Sequence, residues 1–241
     1  DYIVTNFGLN TKYHPTEGKP SLLYYGDFGE NSQKCLVEAK YEGDMLYPIR
    51  GKSCSTHAMP SLAKKFTTYK QFAAASLYEI YSPQCLEESY QVSANLLASV
   101  VLLNDGKGAF EFFPLPREAQ ISPGFGVVIA ELTGDGYPDV FIAQNSFSPQ
   151  PETGNMDGGL GCLLAGNGDG TFHAIATGRS GIVIPEDATA ACVCELNADA
   201  LPDLLVATNS GPLRSLVSDT GADWRKQDFL QVVFDGITST A

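Results

Sequence analysis

Glu131-Leu-Thr-Gly-Asp-Gly-Tyr-Pro-Asp139-Val-Phe-Ile-Ala-Gln-Asn145 returns, 64 residues on, as Glu195-Leu-Asn-Ala-Asp-Ala-Leu-Pro-Asp203-Leu-Leu-Val-Ala-Thr-Asn209. Seven of the fifteen positions are identical, and most other pairs agree in size or polarity. Each copy puts oxygen-bearing side chains at its first, third, fifth and ninth positions, where a tight loop can gather them on one hard cation. The apolar run that follows reads as a β-strand. A fixed period of this kind is the mark of a repeat architecture.

A second element keeps nearly the same period. Val101-Leu-Leu-Asn-Asp-Gly-Lys-Gly-Ala-Phe110 and Leu163-Leu-Ala-Gly-Asn-Gly-Asp-Gly-Thr-Phe172 are 62 residues apart and share Leu102/Leu164, Gly106/Gly168, Gly108/Gly170 and Phe110/Phe172. The glycines supply the positive φ of a hairpin turn, and the phenylalanine returns the chain to the core. Each unit is thus a carboxylate loop, a strand, a long connection and a hairpin, which makes the fold all-β. A weaker copy is expected upstream at Gly26-Asp-Phe-Gly-Glu-Asn-Ser-Gln-Lys-Cys35, with Asp27 aligned on Glu131. That offset of 104 residues exceeds the period by about 40. The surplus falls on residues 60–97, where Leu62, Phe66, Phe72, Leu77 and Ile80 recur with helical spacing and Ser82-Pro83 forms a helix start. These residues are expected to be a helical insertion. Asp1-Tyr-Ile-Val-Thr-Asn6 matches Val140–Asn145, so the chain reads as opening just after a loop, with further repeats upstream.

The 241 residues suffice for one large or two small domains, and 44% of them are apolar. With 28 acidic against 15 basic residues, the net charge of −13 argues against nucleic-acid binding. It suits cation binding, or solubility alone. No apolar run reaches the roughly 20 residues of a membrane-spanning helix, and no signal peptide is visible. Of six cysteines, Cys162, Cys192 and Cys194 occupy strand positions and Cys35 takes the ninth position of the weak loop. Cys54 and Cys85 flank the expected insertion and are the best pair for a disulfide. No zinc pattern is formed, and burial as small apolar side chains is the default.

The loops suggest two ligand sets: Glu131, Thr133, Asp135, the carbonyl of Tyr137 and Asp139, then Glu195, Asn197, Asp199, the carbonyl of Leu201 and Asp203. An all-oxygen set on a flexible loop favours Ca²⁺ over Mg²⁺. An EF-hand is excluded because its twelfth position, a bidentate glutamate, is here Ile142 or Val206. Glu at the first position reaches further than Asp, and Ala200 stands where glycine is expected. The weak upstream loop offers only Asp27 and Asn31. In the alternative reading these segments are Asx-type turns whose carboxylates take backbone N–H groups.

At these residues the chain resembles the FG-GAP/VCBS repeats of integrin α-like β-propellers. Their D-x-D-x-D-G-x-x-D loop, strand and N-G-x-G-x-F hairpin are similar to the segments above, Asn167–Phe172 closest of all. Thr5–Asn10 and Arg50–Pro60 look like a bacterial branch of secreted repeat proteins akin to cartilage acidic protein. The resemblance covers most of the chain. It implies a β-propeller with Ca²⁺ in its inter-strand loops and a secreted, cell-surface or periplasmic setting; it implies no particular reaction. At about 62 residues per unit, three to four blades fit. The chain is then an arc, or a fragment of a six- or seven-bladed ring completed by upstream repeats or another chain.

Arg50-Gly-Lys-Ser-Cys54-Ser-Thr-His57 gathers a thiol, an imidazole and two cations. Cys54 with His57 suggests an activated nucleophile, Arg50 with Lys52 an anion contact, and ordinary loop structure is the plainer reading. His14 and His173 stand alone. The Pro- and Gly-rich connection 145–159 is long enough to carry binding or to be a simple crossover, and Trp224 falls in a turn near the last strand. Two functions follow: a non-catalytic module binding a protein or glycan, or a propeller-borne lyase or hydrolase of polysaccharide. The carboxylates are mostly taken by the loops, which favours binding.

Overall fold

The chain leaves its first strand almost at once. After β1 (Tyr2–Val4), residues 11–97 form a compact unit of their own, and residues 1–10 with 98–241 form the other. The computed structural model describes residues 1–28 and 33–218, which hold four antiparallel sheets.

The inserted unit opens with β2 (Ser21–Asp27), β3 (Lys34–Glu42) and β4 (Met45–Pro48), continues through five short helices, and closes with β5 (Tyr90–Ala94) in a sheet of order β4-β3-β2-β5. The helices are α1 (Lys52–Ala58), α2 (Ser61–Lys65), α3 (Tyr69–Ala74), α4 (Leu77–Tyr81) and α5 (Pro83–Glu87). Their starts are written in the sequence. Thr68 with Gln71 and Ser76 with Glu79 make capping boxes, and Ser82 caps α5 ahead of Pro83. The Ser76 N–H and hydroxyl, both donating to Glu79, hold that carboxyl below its usual range. Leu62, Phe66, Phe72, Leu77 and Ile80 all turn inward onto Leu22, Tyr24, Val37 and Ala39 of the sheet.

This insertion differs from the helical segment expected over residues 60–97. It spans 11–97, carries its own sheet, and its helices begin at Lys52. Asp27 ends β2, and Gly26 pairs with Cys35 as Ala130 pairs with Asp139 and Cys194 with Asp203, so the strands flanking this segment keep the register of the other two loops; Asn31 lies outside the described residues.

In the other unit the chain resumes with β6 (Val100–Asn104) and β7 (Phe110–Pro114). It continues through β8 (Gly124–Ala130), β9 (Asp139–Gln144), β10 (Cys162–Gly166) and β11 (Phe172–Ala174), the one-turn helix α6 (Thr177–Ser180), and β12 (Ala188–Cys194), β13 (Asp203–Thr208) and β14 (Arg214–Leu216). The sheets are β1-β6-β7, β11-β10-β9-β8 and β12-β13-β14. Register shows one blueprint. Tyr2 faces Leu102, Val140 faces Leu164 and Leu204 faces Leu216. The hairpins agree too: Asp105 N–H donates to Ala109 carbonyl and Asn167 N–H to Thr171 carbonyl, each at 3.0 Å.

The middle sheet is buried on both faces. Val140 and Ile142 pack with Val101, Leu115, Cys162 and Leu164, whereas Phe141 and Ala143 pack with Leu163, Ile184, Leu204 and Val206. That is why β9 reads as an unbroken apolar run instead of an alternating one. Each large side chain so buried contributes roughly 1.5–3 kcal/mol, and β9 thereby ties the first sheet to the third. Close approach needs a glycine at Gly126, where a Cβ would lie 2.7 Å from the Ala190 Cα.

Candidate functional site

The two carboxylate loops join β8 to β9 and β12 to β13, and the hydrogen bonds of their first-position glutamates repeat atom for atom. In the first, Glu131 Oε1 accepts the N–H of Thr133 (3.1 Å) and Gly134 (2.7 Å), and Oε2 accepts that of Gly136. In the second, Glu195 Oε1 accepts Asn197 (3.0 Å) and Ala198 (2.7 Å), and Oε2 accepts Ala200 (3.1 Å). The ninth residues are fully buried. Asp139 takes the N–H of Leu132, Thr133 and Gly166, at 2.7, 2.8 and 3.0 Å; Asp203 takes those of Leu196 and Ser218, at 2.7 and 2.8 Å. The fifth residues make Asx turns, Asp135 to the Tyr137 N–H and Asp199 to the Leu201 N–H, each at 2.9 Å. The carboxylates thus satisfy orphan amides of the turn, as the Asx reading of the sequence expects.

A third member of the set is Asp1. Its Oδ1 accepts the Asn104 N–H at 2.7 Å, and Asn104 precedes the hairpin where Gly166 does in the next sheet. Asp1 therefore stands where Asp139 and Asp203 stand, one residue from the alignment on Val140 that strand similarity suggested.

The third and sixth positions separate the loops. Thr133 Oγ1 is shielded from solvent with no hydrogen-bond partner, whereas Asn197 Nδ2 donates to Asp199 Oδ2 at 2.8 Å. Gly134 and Gly136 hold positive φ, and so do Ala198 (61°) and Ala200 (66°). A Cβ makes that conformation costly by about 1 kcal/mol per residue. Ala200→Gly is accordingly expected to stabilise the protein by about 0.5–1 kcal/mol, seen as a higher urea midpoint. An unchanged or lower midpoint would show that the alanine carries no strain.

Between the middle and third sheets runs a groove of about 840 Å³ that the sequence did not announce. It is bordered by Thr133 and Asp135 of the first loop, by His173 and Arg179, and by Leu204 and Leu216. His173 Nδ1 lies 3.1 Å from Asn167 Oδ1, on the hairpin. At the opposite end of the strands, connection 145–159 closes on a Ser146–Met156 bridge around a recess of about 380 Å³. The connection starts at Asn145, fully buried at φ 90°, whose Nδ2 donates to the carbonyls of Gly159, Pro185 and Glu186 and whose Oδ1 accepts the Gly159 N–H. Asp187 accepts the Phe147 N–H beside it. Asn145 carries a signal in the sequence after all, because Asn209 ends the repeat in the same place.

The segment from Arg50 to His57 is not a loop. Lys52–Ala58 is α1, which turns Cys54 toward a crevice of about 20 Å³ shared with Arg50, Ser55 and Tyr81, room for a single water. Arg50 pairs with Glu38 at 3.6 Å, the Lys52 ammonium stacks on the Tyr69 ring, and His57 is exposed on the last turn. Of these four residues, Arg50 and Cys54 line the crevice and Lys52 and His57 do not. All six cysteines are free thiols, Cys54 and Cys85 included. Only Cys162 is buried, which pushes its thiol up to about 12; Cys192 is exposed. Trp224 lies outside the described residues. Among the described residues no three His, Cys, Asp or Glu side chains are gathered as for a metal ion. No known family model matches this chain, and no curated protein matches it in sequence.

Proposed function

We propose that the protein is a non-catalytic binding module of the FG-GAP/VCBS propeller kind, working outside the cytoplasm, with Ca²⁺ at the loop 131–139 and a protein or glycan ligand at the other end of the strands. One observation carries the binding reading. The connections that leave β1, β9 and β13, strands in equivalent places of their sheets, differ widely in length: residues 11–97 lie between β1 and β6, 145–161 between β9 and β10, and a short turn between β13 and β14. Repeat proteins vary in this way at the end that meets partners. The opposite end, with its carboxylate loops and glycine hairpins, is uniform. No helix of the described residues is long and apolar enough to cross a membrane. Six thiols suit a reducing compartment as readily as an oxidising one, so the secreted setting rests on the resemblance alone.

The donor chemistry supports Ca²⁺ at the first loop. Each carboxylate offers about four lone-pair sites, and Asp135 spends one of them and Asp139 three. Thr133 Oγ1 adds a shielded oxygen without a partner. At the second loop the Asn197–Asp199 bond has first to break, which makes that loop the weaker site. When bound, Ca²⁺ supplies electrostatic cross-linking of the turn and no reaction.

Calorimetric titration of Ca²⁺ is expected to show heat that Asp135→Ala reduces at least about tenfold in affinity. Absence of heat from the unaltered protein would remove the cation from the proposal. For the ligand, replacing residues 147–155 by a turn of the β13–β14 kind is expected to abolish binding on a glycan array or to a purified partner. Unaltered binding would move the ligand elsewhere.

A further inference from the structure

We infer that Glu131 and Glu195 are not cation ligands but anionic clamps that close their loops from within, so that the loops are preformed without metal. The inference deepens the Ca²⁺ reading without requiring it. Positive φ at the fourth and sixth positions, alternating with ordinary φ, turns successive N–H groups toward one point and makes an anion-seeking hollow. Glu131 fills that hollow with both carboxylate oxygens, taking the amides two, three and five residues ahead. Glu195 does the same with the same three offsets, although the loop residues between are Asn-Ala-Asp-Ala instead of Thr-Gly-Asp-Gly.

Two independent sequences arriving at one bonding scheme argue that the first-position glutamate dictates it. Side-chain length is the reason. The extra methylene of Glu over Asp carries the carboxylate far enough into the turn for its two oxygens to divide the three amides. The alanines sharpen the point. Ala198 and Ala200 hold a backbone conformation that their Cβ atoms oppose, and the charge-assisted bonds from their amides to Glu195 offset that cost. A hollow of inward N–H dipoles attracts negative charge, so any cation must sit beyond it, against Asp135, Asp139 and Thr133.

The test reads amide hydrogen exchange of the intact protein by NMR, first in chelator and then in excess Ca²⁺. In chelator the amides of Gly134, Gly136, Ala198 and Ala200 are expected to be protected already, and Ca²⁺ to change them by less than about twofold. Glu131→Gln should speed exchange at Gly134 and Gly136 about tenfold or more, leaving Ala198 and Ala200 unchanged. Glu131→Asp, which shortens the clamp, should open the loop in chelator and let Ca²⁺ close it again. Protection of the unaltered loops that appears only with Ca²⁺ would overturn the inference while leaving the cation reading intact. Protection in chelator with no calorimetric heat would do the reverse.

Discussion

Asp139→Ala is expected to destabilise the protein by about 4 kcal/mol, the largest effect of any single change in the loops. The carboxylate is fully buried and satisfies the amides of Leu132, Thr133 and Gly166, so its removal orphans donors in both the turn and the hairpin strand β10. A buried donor left unsatisfied costs roughly 1–3 kcal/mol, and the small cavity adds to it. Asp139→Asn keeps one acceptor oxygen and should lose about half as much. Asp135→Ala, on the exposed rim, should lose less than about 0.5 kcal/mol. Urea denaturation followed by far-UV circular dichroism ranks the three. An Asp139→Ala protein within about 1 kcal/mol of the parent would mean that the aspartate bonds are dispensable and the turn is held by packing alone.

The second large effect belongs to Asn145. Its side chain spans three segments, accepting from the Gly159 N–H and donating to carbonyls of Gly159, Pro185 and Glu186. Asn145→Ala removes all of these and leaves a β-carbon at φ 90°, for an expected loss of about 3 kcal/mol. Asn145→Gly removes the same bonds but relaxes the backbone, and should recover about 1 kcal/mol of it. The difference between the two variants isolates the conformational part. Asn209→Ala, at an exposed position with a single side-chain bond to Asp187, should cost under about 1 kcal/mol. Calorimetric melting, together with exchange at the Gly159 amide, decides the matter. Equal losses at Asn145 and Asn209 would show that the span across three segments contributes nothing.

Where the sequence was legible, a backbone requirement had left a side-chain signature. The hairpins at Gly106 and Gly168 were readable because only glycine takes that turn at no cost, and the helix start at Ser82-Pro83 because a short polar side chain bonds a nearby amide. Strand similarity was a poorer guide. Apolar residues are interchangeable in a buried strand, so Asp1 was aligned one residue out until the ladder of β1 on β6 placed it beside Asp139. Helix α1 was missed because Ser-Cys-Ser-Thr has weak helical propensity and its buried residue is the polar Ser55, which leaves no apolar periodicity. The bonds from the loop amides to Glu131 and Glu195 were not legible, because counting oxygens does not reveal which way the neighbouring N–H groups point. That direction is set by φ at the fourth and sixth residues, and an alanine in positive φ is invisible in a sequence.

The route by which the chain leaves β1 and comes back at β6 also has a meaning for engineering. A connection that already houses residues 11–97, with a hydrophobic core of their own, is the port at which to splice in a foreign module, because β1 and β6 at its two ends are paired with each other. The counterpart ports at 145–161 and between β13 and β14 offer two further sockets on the same rim. The protein can thus serve as a rack, its sheets the frame and its long connections the interchangeable cargo.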